Sequence, residues 1–260
     1  MEDCNTRHAH ERDPYLSFDA PSHTYMLGDR VMKSVTTIIE RCFPQFDAIK
    51  WANYKALKEG VSPQVILDRW EREAQHARDL GTAMHERIER YYLDKSVGRE
   101  PEAPSKDSDA YGLFYNFARS TTLHPYRTEW RIYHEEYGVA GTLDFLERRP
   151  DGSYYIYDWK RSKKLIAAGS NTVVLESKYK TTGLHPVSNL PDTSYWHYAL
   201  QLSIYRLILE EKYGIEVAGM CLGVFHPSYE RAYIIRNIPY LHREALAVLL
   251  SAAQSRVQLK

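Results

Sequence analysis

Short apolar runs and one long periodic run alternate through the centre of the chain. The segment "YWHYALQLSIYRLILEEKY" repeats apolar residues at helical spacing and predicts an amphipathic helix closed by Gly214. Three apolar runs before it and two after it have the length and composition of β-strands. The predicted strands are residues 127–134, 139–148, 153–160, 217–225 and 231–238. This order of elements predicts an α/β fold with a central mixed β-sheet flanked by helices.

The N-terminal third predicts a hairpin followed by helices. The segment "HTYMLGDRVMKSVT" predicts two strands that turn at Gly28-Asp29, and "SVTTIIERCF" predicts a helix entry. A helix is predicted to begin at Ser62-Pro63, to be interrupted at Gly81 and to restart with Thr82 as its N-cap.

Further elements complete a single predicted domain over residues 1–260. "AYGLFYNFA" predicts a short helix, and a last helix is predicted from about His242 to the end of the chain. Residues 95–108 and 167–194 predict irregular segments because they are rich in Pro, Gly and polar residues. We expect an N-terminal hairpin and helices in 1–78, the core in 79–240 and a C-terminal helix in 241–260.

The two central strands are predicted to form a hairpin with a defined register. Arg149-Pro150-Asp151-Gly152 suits a three-residue loop, because Pro and Asp fit a type I turn and Gly accepts the positive φ that follows. Arg149 then pairs with Ser153, and counting back sets Asp144 opposite Asp158. Since side chains alternate between faces, Lys160 shares the face of Asp158.

Two opposed carboxylates repel each other, so a compensating charge is expected. A surface hairpin would leave both acids in water. Against this alternative, the strands carry bulky apolar residues on both faces, such as Tyr157 and Trp159 on one and Ile156 on the other. Strands of that kind are central in a sheet, and semi-buried carboxylates favour a hard cation such as Mg²⁺.

These residues resemble the signature of the PD-(D/E)XK nuclease superfamily. "GTLD" at 141–144 and "DWK" at 158–160 match its Gly-x-x-Asp … Asp-x-Lys form. The segment "LGTAMHERIE" is similar to the histidine motif of the RecB-like exonuclease branch, and "QLSIY" is similar to its Gln-x-x-x-Tyr motif. The order and spacing agree over about residues 80–210. The outer segments also look like a set of viral, protist and mitochondrial-maintenance nucleases.

The resemblance implies a restriction-endonuclease-like core and a role for each matched residue. Asp144, Asp158 and the main-chain carbonyl of Trp159 would hold Mg²⁺ or Mn²⁺, with His85 as a further ligand. Lys160 would polarise the attacking water or neutralise the transition state. The supporting residues would be Glu129, Gln201 and Tyr205. A structural histidine and core tyrosine are the alternatives for His85 and Tyr205.

The implied activity is metal-dependent cleavage of DNA. The branch favours an exonuclease that acts on single-stranded DNA or DNA ends in repair, recombination or replication. Three alternatives stay open: a structure-specific endonuclease of the same fold, a derived module that binds nucleic acid without cutting, and an enzyme of small substrates.

Charge modifies this expectation without overturning it. The chain has 34 basic and 34 acidic residues, a balance that is unusual for a nucleic-acid binder. Basic residues nevertheless cluster after the Asp-x-Lys motif, where they would contact phosphates or form a solvated face. Thr36 and Thr37 would bind phosphate at a helix N-terminus or simply cap it. The clustered basic residues are Arg161, Lys163, Lys164, Lys178 and Lys180.

The remaining composition excludes several classes of site. Cys4, Cys42 and Cys221 are far apart, so no zinc site or iron–sulfur cluster is expected, and their sparse use fits a reducing, intracellular compartment. Nucleus, cytoplasm, virus and mitochondrion are not distinguished. No apolar run approaches the roughly 18 residues of a membrane span, and no Gly-rich phosphate loop indicates ATP.

Overall fold

The computed structural model describes residues 2–254, which form seven α-helices, one short 3-10 helix at Asp13–Tyr15 and eight strands. The helices are α1 Cys4–Arg7, α2 Val35–Glu40, α3 Ala48–Glu59, α4 Pro63–Ser96, α5 Ala110–Ser120, α6 Ser194–Lys212 and α7 His242–Gln254. The strands are β1 Leu16–Asp19, β2 Thr24–Leu27, β3 Arg30–Ser34, β4 Pro125–His134, β5 Val139–Arg148, β6 Tyr154–Lys160, β7 Val217–Val224 and β8 Tyr233–Ile235.

The strands form one mixed sheet, which confirms the predicted α/β class. The order is β1-β2-β3-β5-β6-β7-β8, and β4 pairs with β5 outside this path. The pairs β3·β5 and β6·β7 are parallel, whereas the others are antiparallel. The predicted N-terminal hairpin is therefore part of the central sheet, joined to it through β3.

The central hairpin has the predicted register. Phe145 pairs with Tyr157 and Arg148 with Tyr154, and the Arg149 N–H donates to the Ser153 carbonyl at 2.9 Å. Gly152 adopts a φ of +87°, as the loop requires. One further step along this register sets Asp144 opposite Asp158.

One edge of β5 is divided between two partners. β3 pairs with it at Val139 and Ala140, and β6 pairs with it from Phe145 to Arg148. Residues 141–144 lie between these two pairings. At Gly141 the Tyr205 ring approaches so closely that a Cβ atom would lie 2.7 Å from it. The backbone of β5 at the Gly-x-x-Asp motif is therefore accessible to side chains of other elements.

Apolar side chains cover both faces of the sheet, so the hairpin is not a surface element. On one face an aromatic cluster that includes Phe145, Tyr157 and Trp159 packs against residues of α4 and α5. On the other face, Leu146 and Ile156 belong to a cluster with residues of α2, α6 and α7.

Two helix predictions were wrong in detail. α4 begins at the predicted Ser62 cap but continues through Gly81 and Thr82 to Ser96, because one Gly costs only about 1 kcal/mol in a helix whose flanks favour it. α6 is buried around most of its circumference, because it contacts both the sheet and the helices α2 and α7.

Other differences concern the lengths of elements. β8 spans three residues where a strand over 231–238 was predicted, and β1 was not predicted. The C-terminal helix is present from His242 to Gln254, and the predicted residues 255–260 lie outside the described residues. No helix within residues 2–254 combines the length and the apolar character that crossing a bilayer would need.

Candidate metal centre

Side chains from α4, β4 and β5 bring nitrogen and oxygen atoms together at the open part of β5. The His85 Nδ1 of α4 lies 3.1 Å from Glu129 Oε1 of β4 and 3.7 Å from Asp144 Oδ1 of β5. The His85 Nε2 lies 2.9 Å from the Trp159 carbonyl oxygen of β6. One ligand atom each from His85, Glu129 and Asp144 fall within 4.8 Å of one another.

Glu129 reaches this point through an unusual backbone conformation. Its φ is +46°, which a non-glycine residue rarely adopts, and the neighbouring residues Thr128 and Trp130 pair with β5. Strain of this kind is concentrated at functional sites in proteins. Glu129 is thus turned out of the regular strand, and its carboxylate contacts His85.

The contacts of His85 fit an imidazolium. Both ring nitrogens face acceptors, so both can donate hydrogen bonds only when the ring carries two protons. Burial opposes this charge, but the Asp144 carboxylate and the hydrogen bond to Glu129 outweigh it and raise the pKa of His85 to about 9. At neutral pH the imidazole of His85 therefore carries both ring protons and a positive charge.

Asp144 is held by both of its oxygens. The Trp159 N–H donates to Asp144 Oδ2 at 2.7 Å, while Oδ1 faces His85. Burial raises the pKa of Asp144, although His85 and Lys160 oppose the effect. The carboxylate is therefore oriented before any ligand binds.

Asp158 and Lys160 form an ion pair on the face that they share. Lys160 Nζ lies 2.7 Å from Asp158 Oδ2 and 4.7 Å from the centre of the Tyr198 ring. Asp158 Oδ1 is buried and has no hydrogen-bond partner within residues 2–254. Burial, together with the charge of Asp144, raises the pKa of Asp158 to about 7 despite the opposing Lys160.

A cleft of about 570 Å³ gives access to His85 and Glu129. Gln201 and Tyr205 of α6 line it, and the Gln201 amide donates to the Tyr205 hydroxyl at 3.1 Å. Thr36 also lines it at the start of α2, whereas Thr37 is exposed and is not among its lining residues.

The residues of the predicted basic cluster do not line this cleft. Lys163 lines a different cleft, and Lys164, Lys178 and Lys180 are exposed on the segment that connects β6 to α6. Arg161 is half-buried and, with Lys163, lowers the pKa of His226 in addition to the effect of burial.

Several cleft residues were not predicted. Tyr25 and Thr142 join their hydroxyls at 2.9 Å, and Arg131 and Glu89 line the same cleft. Burial, reinforced by Glu129, raises the pKa of Glu89 to about 6. Glu89 could have been found from the sequence, because it is four residues from His85 on the same face of a helix. Tyr25 could not, because it reaches the cleft only through the placement of β2 in the sheet.

The donor set fits a hard divalent cation. It combines an imidazole and two carboxylates, with the Trp159 carbonyl at the other ring nitrogen of His85 and the unpaired Asp158 Oδ1 as a further buried oxygen. A cation that displaced the ring protons of His85 would free the ring nitrogens, and the oxygen atoms that now accept hydrogen bonds from them, for coordination.

Comparisons with known proteins add no functional information. No family model matches the chain, and no curated protein matches it. Among the solved structures, one described as "Crystal structure of SSO0001" is similar at 14% identity and a TM-score of 0.28. The similarity covers 58% of this chain and 57% of the length of that chain.

Proposed function

We propose that this protein is a divalent-metal-dependent deoxyribonuclease of the PD-(D/E)XK superfamily, in its RecB-like branch, with a restriction-endonuclease-like core. The observation that carries the proposal is the cluster of His85, Glu129 and Asp144, whose ligand atoms lie within 4.8 Å of one another. The Lys160 amine beside Asp158 supplies the cation of the Asp-x-Lys motif.

The Mg²⁺ or Mn²⁺ ion would lower the pKa of a bound water and stabilise charge on the scissile phosphate. His85, Glu129 and Asp144 would hold it, with the Trp159 carbonyl and Asp158 adjoining. Burial disfavours the charge of Lys160, but Asp158 and Asp144 outweigh it and raise the pKa of the amine. Lys160 therefore stays protonated at neutral pH and acts as a hydrogen-bond donor to water or phosphate, not as a base.

Cleavage of single-stranded DNA with and without ends tests the proposal. We expect the purified protein with Mg²⁺ or Mn²⁺ to degrade linear single strands and to leave covalently closed circles intact, as an exonuclease does. Cutting of both substrates would identify an endonuclease. Binding without cutting in either metal would contradict the nuclease proposal and identify a binding module.

The metal requirement is tested in the same assay. EDTA should abolish cutting, whereas Ca²⁺ should support DNA binding with little cutting, because its loose coordination misplaces the water. Asp151→Asn, which replaces an exposed acid at the turn of the same hairpin, should keep the activity and the metal requirement of the wild type. Full activity in EDTA would contradict the proposed site.

A further inference from the structure

A second cleft, of about 730 Å³, is lined by residues that follow the parallel strands β6 and β7. The segment after β6 contributes Lys163 and residues 166–171, and the segment after β7 contributes residues 228–231 together with Tyr233. The Phe225 N–H donates to the Lys160 carbonyl at 2.9 Å, so the two segments leave the sheet side by side. Lys163 is three residues beyond Lys160 in the sequence.

Two tyrosines form an aromatic wall of the cleft. The rings of Tyr229 and Tyr233 meet edge to face, 5.2 Å apart. The Tyr233 hydroxyl donates to Asn171 Oδ1 at 2.7 Å, and the Tyr229 hydroxyl donates to the Ile166 carbonyl at 3.4 Å. These bonds join each ring to the segment that follows β6.

Small residues leave room beside these rings. Residues 167–170, "AAGS", line the same cleft as the tyrosines. They form a turn, in which the Ser170 N–H donates to the Ala167 carbonyl at 3.1 Å. The cleft volume lies within the range of protein sites that bind small molecules or nucleotides.

The cleft also carries cationic side chains. Lys163 and Arg231 line it and are exposed, and the Arg231 guanidinium lies 5.3 Å from the centre of the Tyr233 ring. Glu230 is the acidic residue in the lining. Aromatic rings interleaved with Lys and Arg are the combination by which proteins bind single-stranded nucleic acid, since bases stack and phosphates pair with the cations.

We propose that this second cleft binds unpaired nucleotides of a single DNA strand, with bases against Tyr229 and Tyr233 and phosphates against Lys163 and Arg231. The inference deepens the proposed function, on which the choice of DNA as the ligand rests. The second cleft would distinguish single-stranded from duplex DNA, because only unpaired bases offer their faces for stacking. Duplex DNA would engage the cations alone.

Binding without catalysis tests the aromatic wall. Fluorescence anisotropy of a labelled oligothymidine is measured with the full chain in EDTA. Tyr229→Ala and Tyr233→Ala should each weaken binding about tenfold, whereas Tyr229→Phe and Tyr233→Phe should stay within about twofold of the wild type. Tyr154→Ala is the matched control, because Tyr154 is also half-buried and lies at the opposite end of β6. Thermal melts establish that each variant is folded.

The cations are tested by the salt dependence of the same binding. Lys163→Ala combined with Arg231→Ala should reduce the slope of log K against log salt concentration by about 1.4, the value for two lost phosphate contacts on a single strand. Arg148→Ala is the control, because Arg148 also faces a tyrosine, with its guanidinium 5.8 Å from the Tyr154 ring. An unchanged slope in the double variant would show that these cations do not bind phosphate.

The outcomes separate this inference from the nuclease proposal. Variants that bind oligothymidine as the wild type does would overturn the second cleft, even if linear DNA is cut. Loss of binding in the alanine variants would support the cleft, even if no metal activates cutting. A blunt duplex that loses as much affinity as the single strand in the tyrosine variants would also overturn it, because stacking on unpaired bases would not be the cause.

Discussion

Asp144 uses both carboxylate oxygens within the protein, with Oδ2 on the Trp159 N–H and Oδ1 facing His85. The position therefore combines two properties. The hydrogen bond orients the side chain, and the negative charge keeps His85 protonated. A neutral isostere separates these properties because it preserves the hydrogen-bond acceptor and removes the charge.

Asp144→Asn should reduce cleavage about 100-fold or more, since the cation loses a ligand. In EDTA the melting temperature should stay equal or rise, because the raised pKa of Asp144 means that the folded protein disfavours its ionised form. The pKa of His85 should fall from about 9, which a nuclear magnetic resonance titration of the ring measures. A large loss of stability would instead identify Asp144 as a purely structural acceptor.

His85 contacts Glu129 and the Trp159 carbonyl and lies 3.7 Å from Asp144. His85→Ala should weaken Mn²⁺ binding about 10- to 100-fold, as measured by calorimetry, and should leave the fold intact. His76→Ala is the matched control, because His76 is an exposed histidine on the same helix. Equal Mn²⁺ affinity in the two variants would assign His85 a structural role.

At the scale of elements, α4 carries His85 and continues through Gly81 at the edge of the first cleft. A Cβ atom at Gly81 would have no neighbour within 4 Å. The glycine is therefore not required by packing within the described part of the chain. A residue with a Cβ atom at this position would therefore remove the cost of glycine to the helix without a clash.

Gly81→Ala should raise the melting temperature by about 1 to 4 °C, because alanine restricts the unfolded chain and favours the helix. Gly219→Ala is the contrasting variant, since its Cβ would lie 2.4 Å from the Tyr155 ring, and it should lower the melting temperature. Calorimetric melts of both variants check the pair. A lower melting temperature for Gly81→Ala would mean that α4 is not a regular helix at this residue.

At the scale of the whole molecule, an ion pair connects the N-terminal segment to the end of β4. Arg12 Nη2 lies 2.7 Å from Glu135 Oε2, and the Arg12 guanidinium lies 4.1 Å from the centre of the Tyr133 ring. Burial disfavours the Glu135 charge, but the hydrogen bond from Arg12 outweighs it and lowers the pKa of Glu135 from 4.5 to about 2.

This depressed pKa makes the ion pair stabilising above about pH 5, and its contribution disappears as the pH falls from about 4.5 to 2. Glu135→Gln should therefore lower the melting temperature at pH 7 by about 1 to 3 °C, the range for a partly exposed pair in a chain of this size. The difference from the wild type should shrink at pH 3. Glu176→Gln, at an exposed loop residue, should have no effect at either pH. A difference that is the same at both pH values would show that the charge of Glu135 is not the cause.

The sequence alone determined features that depend on local chemistry. Pro150, Asp151 and Gly152 specify the turn, and a period of two along each strand then determines which side chains share a face. The hairpin register, the common face of Lys160 and Asp158 and the α/β class followed from such local rules. The resemblance to known motifs selected His85, Glu129, Gln201 and Tyr205, which lie along one cleft in the structure.

Only the tertiary structure decided how distant segments meet. The positive φ of Glu129, the burial of α6 on both sides and the approach of the His85 ring to the Trp159 carbonyl depend on packing between elements, which no local pattern encodes. The second cleft has the same origin, because it combines segments about 60 residues apart that meet where parallel β6 and β7 end. Side-chain preferences act over a few residues, whereas these contacts depend on the balance of burial across the whole sheet.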